Sequence, residues 1–152
     1  MRPFLAFGTC LLVLGCAGNR SAASPLATPP ASLYDRLGGL PAITAVVDEF
    51  MKNLAADERI NAHFAGADLP DLRQKLIDLV CQTAGGPCVY AGRSMKAAHQ
   101  GMNLKDADFD AVAGDLQAAL NKLNVPAREQ GELLSAVGSL RPQIVHNGAG
   151  AI

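Results

Sequence analysis

The residues best placed to do chemistry lie in one short run, Gly92-Arg93-Ser94-Met95-Lys96-Ala97-Ala98-His99-Gln100-Gly101-Met102. Ser94 has the side chain of a helix N-cap, and Met95, Ala98, His99 and Met102 then recur at the i, i+3, i+4, i+7 spacing of one helix face. His99 is therefore expected on the apolar, inward side of a short helix. There a neutral imidazole can donate from one ring nitrogen to a backbone carbonyl and keep the other as a ligand lone pair, the way haem iron is held from one side. A core histidine satisfied by ordinary hydrogen bonds is the alternative on these residues alone.

The chain has 152 residues, enough for one domain with a sizeable core. Its formal net charge is −1 and Lys and Arg are scattered, so the basic stripe that nucleic acid needs is missing. There is no Trp, and Phe50, Phe64 and Phe109 stand far apart rather than as a stacking array. No nucleic-acid partner is expected.

Residues 1–15 read as a signal peptide of lipoprotein type. Arg2 is a positive n-region, Phe4 to Leu14 is an apolar stretch too short to span a bilayer, and cleavage after Gly15 leaves the thiol of Cys16 for lipid attachment. Simple secretion with cleavage near Ala22-Ala23 is the alternative. Residues 16–31, rich in Ala, Ser and Pro, read as a disordered tether. The expected location is the periplasmic side of a bacterial membrane, with a lipid anchor. Cys10 leaves with the signal, so Cys81 and Cys88 remain as an even pair in an oxidising compartment, across the turn Gly85-Gly86-Pro87. A disulfide is expected, worth about 2–3 kcal/mol in the chain-entropy model. Zinc is the weaker reading, because a lone pair at this separation lacks the close spacing and the second pair of a zinc site.

Every periodic segment after the tether is helical, and none alternates with period two, so the class is all-α. Leu33 to Leu37 predicts a short opening helix stopped by Gly38-Gly39, with Pro41 as the first residue of the next. There Ile43, Val46, Val47, Phe50, Met51 and Leu54 follow the helical template as a core face. Asp57 caps a turn carrying Ile60 and Phe64. Pro70 opens a helix with Leu72, Leu76, Leu79, Val80 and Thr83 aligned, stopped at Gly85-Gly86-Pro87. Two longer helices follow the His99 segment. The first runs from Asp106 to about Leu123, with Phe109, Val112, Leu116, Leu120 and Leu123 inward. The second runs from Pro126 to about Val145, with Leu133, Leu134, Val137, Leu140 and Ile144 inward and with Gly131, Gly138 and Pro142 weakening or kinking it. Residues 147–152 are expected to fray, and His146 beside them is assigned no role.

Four substantial helices with a loose, histidine-bearing middle are what a chain needs to wrap a flat cofactor. The order and spacing of Leu33-Tyr34-Asp35-Arg36-Leu37-Gly38-Gly39, Phe64-Ala65-Gly66, Gly85-Gly86-Pro87, Tyr90-Ala91-Gly92, Met95-Lys96-Ala97-Ala98-His99-Gln100-Gly101 and Asp108-Phe109 resemble the group I truncated haemoglobins. The resemblance covers residues 32–146 and is similar in particular to exported members of proteobacterial type. It implies a two-over-two helical sandwich around haem b, with His99 as the proximal iron ligand, Phe64 against the haem face, and Tyr90 and Met95 along its edge. Lys75 and Arg93 become candidate propionate partners, with solvated surface cations as the alternative. No Cys-x-x-Cys-His run is present, so the haem is expected to be non-covalent.

The departures bear on function. Positions that the resemblance pairs with a distal tyrosine and glutamine are here Met51 and Leu76, and Leu72 adds nothing polar. O₂ at ferrous haem gains negative charge, and a hydrogen bond to such a group contributes about 1.5–3 kcal/mol. Its loss implies O₂ dissociation faster by roughly ten- to a hundredfold. The expected function is reversible binding of O₂, CO or NO, with an unidentified reductase as partner. Alternatives are an envelope haem or redox protein with six-coordinate iron, using Met51 or His63, and an NO dioxygenase or peroxidase-like enzyme. The apolar distal side disfavours both enzymes, since peroxide cleavage wants an acid–base group.

Overall fold

A computed structural model describes residues 30–145. The signal peptide, the lipid site at Cys16, nearly all of the tether, His146 and the 147–152 tail lie outside the described residues.

Among the described residues every regular element is helical. Helix α1 (Leu33–Leu37) starts with a reciprocal cap, in which the Asp35 amide donates to Ser32 Oγ at 3.1 Å and the Ser32 amide to Asp35 Oδ2 at 3.2 Å. Gly38, at φ 99°, takes the left-handed conformation that ends it. Helix α2 (Gly39–Ala56) begins at once, so Pro41 lies inside its first turn rather than opening it. Amides there have no helical partner, and the missing N–H costs nothing. Ile43, Val46, Val47, Phe50 and Leu54 are buried as the periodicity requires.

A 3-10 turn (Asn61–Phe64) leads to α3 (Leu69–Thr83), which Asp68 caps by accepting from the Asp71 amide at 3.1 Å. Its buried residues are Ile77, Val80 and Cys81, whereas Leu72, Leu76 and Leu79 are half-buried and Thr83 is exposed. Two faces of this helix are therefore apolar, one against the core and one against a cavity, and a single-stripe reading misses Ile77. After the 84–94 loop come α4 (Met95–His99) and α5 (Asp106–Lys122). Leu123, expected inward, falls just past the end of α5 and is 39% exposed.

The expected long last helix is two pieces, α6 (Ala127–Gly138) and α7 (Arg141–Ile144). The break follows Gly138, and Pro142 sits in the first turn of α7, where its ring clashes with nothing. Helix α2 packs on both α3 and α5, α5 packs on α6, and α1 joins α2 to α6, which is a two-over-two sandwich. Ile43, Val47, Leu120 and Leu133 form its tightest layer, each at most 1% exposed. Arg36 fastens α1 to α6, donating from Nη1 to Glu132 Oε1 at 3.0 Å and lying 3.4 Å from Glu129 Oε1. No described helix is long and apolar enough to cross a membrane.

Candidate functional site

The site begins with five residues. Ser94 Oγ accepts from the Ala97 amide at 3.3 Å, so α4 starts where the sequence predicts, and His99 ends it one turn later. His99 Nδ1 lies 2.7 Å from the Met95 carbonyl oxygen. A carbonyl only accepts, so Nδ1 carries the proton and Nε2 of the neutral ring keeps its lone pair. That nitrogen belongs to a half-buried side chain on the wall of a cavity of about 500 Å³. This volume falls in the range of roughly 300–1,000 Å³ typical of ligand pockets.

The cavity lies between the two helix pairs. Val47, Phe50, Leu54, Leu72, Leu76 and Val80 line it from α2 and α3, and Met95, Ala98, Phe109, Val112 and Val137 line it from α4, α5 and α6, with Met102 from the turn between α4 and α5. Phe64 closes one side from the 3-10 turn. Charge is confined to the mouth. Asp68, Asp71, Lys75 and Arg93 all line the cavity and are all exposed, while half-buried Asp108 already accepts from the Lys105 amide at 2.8 Å. Lys75 Nζ pairs with Asp71 Oδ2 at 2.5 Å across one helical turn. An exposed pair of this kind contributes only about 0.3–0.5 kcal/mol, so Lys75 can change partner cheaply. Arg93 has no carboxylate partner among the described residues.

A family pattern described as bacterial-like globin matches residues 32–146. The group 1 truncated hemoglobin of Mycolicibacterium paratuberculosis is 37% identical over 123 residues, covering 81% of this chain and 90% of the relative. This chain belongs to the group 1 truncated haemoglobin family. The fold agrees. The Fe(III) crystal structure of truncated hemoglobin from Tetrahymena pyriformis superposes with a TM-score of 0.74 at 32% identity, covering 77% of this chain and all of that one. A 2/2 hemoglobin from a Synechococcus species, solved in the cyanomet state with covalently attached heme, gives 0.70 at 38% identity, with 74% and 95% covered.

The residues of this truncated haemoglobin fit a haem. The cavity joins an apolar interior to a charged mouth, as an apolar macrocycle with two carboxylate arms requires, and His99 offers one nitrogen donor to an iron. Of the residues singled out from the sequence, Phe64, Leu72, Lys75, Leu76, Tyr90, Arg93, Met95 and His99 all line this one cavity. Met51 does not. It is half-buried against the core, and Phe50 takes the cavity face, because successive helical residues point about 100° apart. His63 lies exposed at the mouth.

Sequence reasoning missed that Val112, Leu116, Val137, Leu140 and Ile144 face the cavity rather than a closed core. Their periodicity marks them as inward, and nothing in a periodicity distinguishes a packed partner from a hollow. Cys81 and Cys88, with Cα atoms 5.7 Å apart, are joined in the structure, beside Val80 on the cavity wall.

Proposed function

We propose that this truncated haemoglobin binds haem b non-covalently through His99 Nε2 and thereby binds a diatomic gas, O₂, CO or NO, reversibly. The observation that carries the proposal is the 2.7 Å hydrogen bond from His99 Nδ1 to the Met95 carbonyl, which leaves the other nitrogen as a free donor on the wall of a 500 Å³ cavity. Haem, when bound, supplies the iron that takes the gas. The chain's own residues do the rest. Leu72, Leu76 and Phe50 keep the interior dry, Phe64 and Tyr90 bound it, and Lys75 and Arg93 offer charge at the mouth to carboxylate arms.

The wall facing His99 offers no hydrogen-bond donor at Leu72 or Leu76, which supports weak retention of O₂ and a relative preference for CO and NO. Leu72 and Leu76 likewise supply no acid–base group for peroxide chemistry, and Asp71 and Lys75 on the same helix are exposed at the mouth and paired with each other. Met51 lies off the wall and His63 is exposed, which supports His99 rather than a pair of residues as what would hold the iron. Export behind a 1–15 signal, lipid attachment at Cys16 on the periplasmic side, a disulfide maintained in that compartment and a reductase partner complete the proposal. These rest on the sequence alone.

The test is the optical spectrum of haem-reconstituted protein in the ferric, ferrous and ferrous-plus-CO states, beside His99→Ala. Five-coordinate ferrous haem that binds CO, lost in the variant, is expected. No haem uptake, or uptake indifferent to His99, overturns the proposal.

A further inference from the structure

The segment that brings Tyr90, Arg93 and His99 to the cavity is held by few anchors, and they converge on one place. No backbone–backbone hydrogen bond engages residues 87–93. Three side-chain ties replace them. Cys88 is joined to Cys81, which is itself wholly buried near the end of α3. Gln82, the next residue of α3, accepts from the Tyr90 amide through Oε1 at 2.6 Å. Tyr90 Oη then donates to the Arg93 carbonyl at 2.9 Å, directly before the Ser94 cap of α4.

The space around these ties is filled. A Cβ on Gly92 would overlap the Tyr90 hydroxyl, and one on Gly86 would overlap the Tyr34 ring and stand 2.8 Å from Cys81 Sγ. Helix α4 contributes no buried residue of its own and is too short to persist unaided. Its placement therefore depends on α7, against which it packs, and on the loop that precedes it.

We propose that Cys81–Cys88 and Gln82 form a clasp that positions the 88–94 loop, so that the thiol–disulfide state of the pair sets how firmly the protein retains haem. The inference rests on the haem reading above. In the opening step a dithiol reductant gives two electrons and two protons. The sulfur–sulfur bond breaks, Cys81 and Cys88 end as thiols, and the dithiol ends as a disulfide. The loop then keeps only two side-chain hydrogen bonds, and Arg93 and the start of α4 lose their fixed position. Gln82 is a positioning residue, since it is exposed and lies off the cavity wall.

The experiment uses the full chain in the ferric, haem-loaded form and follows haem transfer to excess apomyoglobin for wild type, Cys88→Ser, Gln82→Ala and Gln82→Glu. Hydrogen exchange of residues 88–93 is read in parallel on the haem-free chain. Cys88→Ser and Gln82→Ala are expected to speed haem loss by about tenfold, the factor that goes with one ordinary anchor. Both should accelerate exchange in the loop, while Gln82→Glu, which keeps the acceptor, restores both readouts. If Cys88→Ser does not fold, dithiothreitol treatment of the wild type in the ferrous–CO form gives the same comparison. Equal rates of haem loss in all variants overturn the proposal, as does free alkylation of Cys81 and Cys88 themselves, read by peptide mapping of air-oxidised protein because the full chain also carries Cys10 and Cys16. A wild type that takes up haem but loses it at a clasp-independent rate refutes this inference alone. A wild type that takes up none refutes the haem reading and this inference with it.

Discussion

Replacing Leu76 by glutamine should slow the release of O₂ from the haem-loaded protein. Leu76 lies on the cavity wall of α3, one turn beyond Leu72, and is half-buried, lining the hollow while also packing against the edge of the core. Leucine and glutamine are similar in size, so the substitution leaves the cavity's shape nearly unchanged and alters its polarity alone. An amide N–H there can donate to the negative charge that O₂ acquires. A hydrogen bond to a charged acceptor contributes about 1.5–3 kcal/mol, and 1.4 kcal/mol is tenfold. O₂ dissociation should therefore slow by roughly ten- to a hundredfold, while CO dissociation, which draws far less on a donor, moves by about threefold or less. Stopped-flow replacement of O₂ by CO measures the first rate and replacement of CO by NO the second. An O₂ rate within about twofold of wild type, in a variant with normal ferrous–CO spectra, would show that position 76 does not face the bound gas.

Three further outcomes concern the scaffold. Leu133→Ala, at a position 1% exposed in the tightest layer, should lower unfolding stability by about 2–5 kcal/mol in urea titrations; a loss below about 1 kcal/mol would mean that the layer collapses around the gap. Burial raises the Asp115 carboxyl above its usual range, helped by the nearby Asp57 charge, and its Oδ2 is buried without a partner. Its favourable contribution is thus present at acid pH and lost as pH rises through the raised value, so Asp115→Asn should stabilise at pH 7 by about 1 kcal/mol and do nothing near pH 3; equal effects at both would contradict the assignment. Asp48, Glu49 and Glu132 are shifted the other way, by hydrogen bonds from Arg73, Lys122 and Arg36 in turn. Their contribution is complete above the ordinary carboxylate range and fades as pH falls through the lowered values. Stability should therefore decline below about pH 4, with a shallower decline in Arg36→Leu than in wild type.

The elements were legible wherever a residue's role repeats with the helical period. The face of α2 from Ile43 to Leu54 and the Ser94 cap could be read from residue types and spacing, whereas Gly138 and Pro142 showed only as weak points of a single last helix. So could His99, because its placement follows from a turn of helix and not from tertiary packing. What resisted reading depends on partners distant in sequence or on empty space. The tie from Arg36 to Glu132 spans 96 residues, and the reach of Gln82 to the Tyr90 amide obeys no period. Met51 illustrates the angular limit, since a stripe as wide as that of α2 has room for both a core-facing and a cavity-facing edge, and a position in the middle of the list does not say which edge it takes. On α3 the same width lets Leu79 line the cavity with Leu72 and Leu76 while Ile77, which the aligned stripe leaves out, turns to the core.

The tightest layer of the molecule has a consequence for how the protein responds to being filled. Ile43, Leu120 and Leu133 are buried away from the hollow, whereas Val47 of the same layer also lines it. An occupant of the hollow therefore rests on one edge of the layer, and filling the one tightens the other. A gain in unfolding stability on loading is the outward sign of that link, and its size reports how firmly the occupant is held.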